Sequence, residues 1–75
     1  MNAAAVVDRV FAKRLLRARM DARLTPAELG RRAGVGPIVI AQIEGGGRPA
    51  TIGEAVALAD ALGAPLTELT GGTAR

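Results

Sequence analysis

The side chains able to do chemistry in this chain are seven carboxylates, nine arginines, Lys13, five threonines, Asn2 and Gln42. There is no Cys, His, Trp, Tyr or Ser. Thiolate nucleophiles, imidazole bases and the Cys/His sets that hold zinc are therefore unavailable. No two carboxylates form an evident acid–base pair. This inventory argues against an enzyme and predicts neither cofactor nor metal. What it allows is recognition. A net charge of +3 and a pI near 11.1 suit a nucleic-acid or other anionic partner. The one side chain with a two-sided hydrogen-bonding head, Gln42, lies in "GVGPIVIAQIEGG" (34–46), an almost wholly aliphatic stretch between a glycine turn and a glycine cluster.

The elements that must position these groups read as helices. Seventy-five residues make one domain, and a chain of this size buries only about 60% of its unfolded surface. Hydrophobic residues make up 49%, with Phe11 the single aromatic, so the core must be aliphatic. No stretch approaches the ~18 apolar residues of a membrane span, and "MNAAAVV" lacks the basic start of a signal peptide. The expectation is a cytoplasmic protein without membrane contact.

The spacing predicts five helices and no strand. The first covers about Ala3–Asp21, with Phe11, Leu15 and Ala18 on one face. The second opens at "TPAE", where Thr25 is the N-cap, Pro26 the first helical residue and Glu28 the closing member of a capping box. It carries Leu29 and Ala33 inward and ends at Gly34. The third has Gly36 as cap and Pro37 in its first turn, and stops at the glycines 45–47. The fourth repeats the box with Thr51 and Glu54, then buries Val56 or Ala55, Leu58, Ala59 and Leu62 before Gly63. A last turn from Pro65 places Leu66 and Leu69 inward. The domain core is set at about 10–69, with 3–9 extending the first helix and 70–75 a frayed tail.

Two short helices joined by "AGVG" carry the most information. A tight glycine-bearing turn between them is the helix-turn-helix signature, although an ordinary helical hairpin shares it. Gly30 favours the first reading. In mid-helix it costs about 1 kcal/mol against Ala, which close approach of the second helix to the third would explain.

Over about Val10–Leu69 the pieces Phe11, Leu15, Arg19, "LTPAELGRRAGV", "I..IEGG.R" and "ALADALGAPLTEL" fall in order. In these the chain resembles the lambda-repressor-like (Cro-type, XRE-type) helix-turn-helix domains. The resemblance implies an all-α, five-helix lambda-repressor-like fold, binding to double-stranded DNA, and a homodimer on a palindromic operator. It also implies that Arg19 and Glu44 form a structural ion pair joining the first helix to the end of the third. The chain departs from the family at Pro26, Gly36, Pro37, Ile38 and Val39, where polar residues are usual, so Gln42 alone keeps a polar reader.

At 100° per residue, Ile40, Ile43 and Glu44 take one side of the third helix. Ile38, Ala41 and Gln42 lie opposite, with Val39 on the flank. In a major groove Gln pairs bidentately with adenine and aliphatic groups pack on thymine methyls. The expected base contacts are therefore Ile38, Val39, Ala41 and Gln42. Expected phosphate contacts are Thr25, Arg31, Arg32, Arg48 and the bare amides of Gly46 and Gly47. Arg9 and Lys13 share an outward face with Leu16 and Met20, away from the presumed DNA side. Leu66 and Leu69 are expected to border a dimer contact. The leading function is a sequence-specific DNA-binding transcriptional regulator. The alternative is a protein-interaction module, adapter or antitoxin-like, whose apolar third helix meets a protein partner.

Overall fold

The Asn2 side chain starts the first helix by accepting the Ala5 N–H at 2.8 Å. This end belongs to a computed structural model, which describes residues 2–71. The elements are α1 (Ala3–Asp21), α2 (Pro26–Ala33), α3 (Pro37–Glu44), α4 (Ile52–Leu62) and α5 (Leu66–Thr70), with no strand among the described residues. None of these helices is long and apolar enough to cross a membrane.

Local chemistry sets most of the boundaries. At α2 the Glu28 N–H donates to Thr25 Oγ1 at 3.1 Å, while the Thr25 N–H donates to Glu28 Oε1 at 2.7 Å. Thr51 and Glu54 make the same reciprocal pair at 3.0 and 3.1 Å. Each box satisfies donors that a helix start leaves without partners. Gly34 ends α2 at φ 72°, a left-handed conformation that glycine enters without strain. Arg23, between α1 and α2, takes φ 59° without that freedom. Residue 70, the first of the tail expected to fray, is helical. Thr70 is the last residue of α5, its hydroxyl donates to the Thr67 carbonyl at 3.3 Å, and Gly71 caps the helix. The rest of that expected tail lies outside the described residues.

The core is Phe11, Leu15, Leu24, Leu29, Ile40, Ile43, Leu58, Ala59 and Leu69. α1 packs on α3 and α5, and α2 on α3 and α4. Of the alternatives on α4, Ala55 packs toward the core and Val56 is exposed. Leu69 is only 1% exposed and Leu66 packs partly against the core. Leu69 is therefore spent inside the monomer and cannot border a dimer contact. Arg14 secures this short helix by donating to the Glu68 carbonyl at 3.1 Å.

Gly30 is held by the turn itself. A Cβ there would collide with the Val35 carbonyl oxygen, and would stand 3.6 Å from both Ile40 Cδ1 and the Pro37 nitrogen. The Gly34 and Val35 N–H groups both donate to the Gly30 carbonyl, at 2.8 and 3.1 Å. The absence of a side chain thus lets the chain fold back over α2 before α3 begins.

Candidate nucleic-acid interface

α3 is a two-sided helix because its buried residues recur at three-residue spacing. Ile40 and Ile43 are sealed in the core. On the other side Ile38 is 73% exposed, and Ala41 and Gln42 are exposed beside it. Val39 departs from its place among the expected base contacts. It is partly buried and packs against the core cluster, so the outward face is Ile38, Ala41 and Gln42.

A clamp fixes that face relative to α1. Arg19 Nε donates to Glu44 Oε2 at 2.8 Å and Nη2 to Oε1 at 2.9 Å, the bidentate geometry of a guanidinium on a carboxylate. Nη1 donates to the Leu24 carbonyl at 2.9 Å, tying in the α1–α2 loop. The two side chains are only 14% and 8% exposed. Hydrogen bonding to Glu44 raises the Arg19 pKa above its ordinary value; burial opposes the rise and the Glu44 charge adds to it.

The phosphate candidates fare differently. Arg31 and Arg32 are exposed on α2. Thr25 is exposed, with its hydroxyl oxygen engaged in the capping box and its hydroxyl proton able to turn to Glu28 or to a phosphate. Gly46 and Gly47 differ from expectation because their amides are not bare. They donate to the Ile43 and Gln42 carbonyls at 3.1 and 2.8 Å, closing the end of α3. Arg48 is engaged as well. Nη2 donates to Glu54 Oε2 at 2.7 Å and Nη1 to the Pro49 carbonyl at 2.8 Å. The Glu54 carboxylate therefore accepts from Arg48 on one oxygen and from the Thr51 amide on the other. These bonds, led by that of Arg48, hold its pKa below the usual carboxylate range. No regular helical spacing links residues 48 and 54, so this tie left no periodic signal in the sequence.

Arg9 and Lys13 are exposed on α1, as expected. They line a surface cavity of about 360 Å³ together with Ala5, Ala12 and residues 44–46, 48 and 49. The face of α1 that carries them looks onto the loop after α3. Their spacing of four placed them together, but the helix-to-loop distance needed the tertiary fold.

A glycine turn between two short helices, with the second helix pinned to α1 and one side exposed, is the geometry of a helix-turn-helix unit. A model of the helix-turn-helix domain family matches residues 10–70, and the chain belongs to that family. It is a lambda-repressor-like, XRE-type DNA-binding transcriptional regulator. The chain is similar to the restriction-modification controller protein C.AhdI from Aeromonas hydrophila. That crystal structure superposes with a TM-score of 0.78 at 27% identity, covering 88% of this chain and 97% of the other. No curated protein matches the chain.

Proposed function

We propose that this regulator recognises a specific duplex site with the outward face of α3, as a homodimer on a palindromic operator. The observation that carries the reading is the joint exposure of Ile38, Ala41 and Gln42 on a helix whose other side is locked in the core. Gln42 pairs with the N6 and N7 edge of adenine, and Ile38 and Ala41 pack on flanking thymine methyls. The half-site is A/T-rich at its centre. Arg31, Arg32 and the Thr25 hydroxyl meet phosphates, which orient the domain without reading sequence. Arg48 has two donors committed within the chain and serves chiefly to hold the loop.

A dimer is inferred because one such face defines too short a site. Ile52 and Val56, exposed and one turn apart on α4, are apolar surface available to that contact. Selection of bound sequences from a randomised duplex pool tests the reading. A sharp A/T-centred motif with two half-sites is the expected result. An unenriched pool would leave the same apolar face to a protein partner, as in an adapter or antitoxin.

A further inference from the structure

We propose that the groove between α1 and the loop following α3 is a second phosphate-binding track, in which Arg9 and Lys13 hold the DNA backbone beyond the end of the reading helix. The inference rests on the proposal that α3 enters the duplex.

Charge bookkeeping singles these two residues out. The charged walls of the cavity are Asp8, Arg9, Lys13, Glu44 and Arg48. Glu44 is neutralised by Arg19 and Arg48 by Glu54. Arg9 and Lys13, which have no ion-pair partner among the described residues, remain against the single carboxylate of Asp8. Asp8 also lines the neighbouring apolar cleft with Val7, Phe11 and Ile52, so it stands on the ridge between the two depressions. The groove is left with a positive excess.

Its shape admits a backbone. Ala5 and Ala12 form the α1 side with one-carbon side chains, and Gly45 and Gly46 face them with none. Arg9 and Lys13 are one turn apart on the same helical face. Their long stems let the cationic heads move while the apolar portions lie along the helix. Position completes the argument, because Gly45 directly follows Glu44, the last residue of α3. A duplex seated on Ile38, Ala41 and Gln42 would continue past this end of the helix. The amides of Gly46 and Gly47 and two Arg48 donors are occupied there, so mobile unpaired cations are what the surface offers to phosphate.

The test compares the parent protein with Arg9→Ala/Lys13→Ala, titrated onto the selected duplex and a scrambled one across a range of salt. Each phosphate contact contributes about 0.9 to the slope of log K against log salt. The double variant should therefore lose roughly two units of slope and weaken on both duplexes by the same factor. Its melting temperature should match the parent, since neither side chain has an ion-pair partner to lose among the described residues. Arg9→Lys/Lys13→Arg should keep the parental slope, and Asp8→Asn should tighten binding to both duplexes. An unchanged slope in a parent that binds DNA would overturn the groove alone. Weakening confined to the selected duplex would also overturn it, by making these residues sequence readers. A parent with no salt-dependent binding would remove the DNA reading on which the groove depends.

Discussion

Gln42 is the residue on the exposed face of α3 that can both donate and accept, and that is what an adenine edge demands. Gln42→Ala should cost about 1–3 kcal/mol on the selected site, the worth of one bidentate base contact. On scrambled duplex the loss should be negligible, and anisotropy titrations on both duplexes give the comparison. Equal binding by parent and variant would transfer the apolar face to a protein partner. Arg48 behaves differently because Glu54 and Pro49 already hold it. Partly exposed ion pairs are worth about 0–1 kcal/mol, so Arg48→Ala should lower the melting temperature only slightly. It should shift the salt slope by less than a full unit. A whole unit lost would mean that the guanidinium leaves Glu54 for a phosphate.

At the scale of the helices, Gly30 is the sensitive point. Gly30→Ala gains about 1 kcal/mol of helix propensity but drives a methyl into the Val35 carbonyl. Overpacking of this kind costs about 1–3 kcal/mol, and backbone yields less readily than a side chain. The variant should be less stable by thermal melting; a more stable one would show that the turn relaxes freely. The capping boxes predict an acid limit. Glu28 is lowered by the Thr25 backbone and hydroxyl, with Arg31 and Arg32 adding to the effect, and Glu54 is lowered by Arg48 and then Thr51. Both carboxylates bind protons less readily folded than unfolded. Their contribution is therefore complete above the ordinary glutamate pKa of about 4.3, and is lost as pH falls through the lower folded values. Glu28→Gln keeps the one acceptor oxygen its box uses, whereas Glu54→Gln keeps one of two and gives up either the Arg48 or the Thr51 bond. The double variant should be less stable near neutral pH and should flatten the decline of stability below about pH 4.5. These helix boundaries were legible in the chain because caps are local: Thr25 with Glu28, Thr51 with Glu54, and Gly34 with Gly30 each act within four residues. The engagement of Arg48 and the nearness of Arg9 to the loop depend on how separate helices pack, and no local pattern encodes them. The half-buried flank position of Val39 was already given by the helical spacing.

For the whole molecule, the Arg19–Glu44 clamp is the less exposed of the two ion pairs among the described residues. Removing one partner of a buried pair costs about 3–5 kcal/mol. With some solvent at both side chains, about 2–4 is expected for Glu44→Ala. Against a total of about 5–10 kcal/mol for a small domain, the variant should be marginally folded at room temperature. A melting temperature within a few degrees of the parent would show that water replaces the pair cheaply. Sedimentation addresses assembly. A two-fold dimer on the selected duplex is expected, with half-sites about 10 base pairs apart, and a monomer on its best site would exclude the palindrome.

The clamp also bears on time. Its partners lie 25 residues apart in the chain, and its bidentate geometry requires α1 and α3 to be docked almost to their final positions. Such a contact is expected to form late, after the transition state has collected most of its apolar surface. Its loss should therefore fall on escape from the native state, with Glu44→Ala unfolding much faster while refolding at nearly the parental rate. Stopped-flow circular dichroism can follow both limbs in a chain that has neither Trp nor Tyr. In a cell the clamp would then act as a latch on lifetime, lengthening the interval between openings in which a protease finds the chain unguarded.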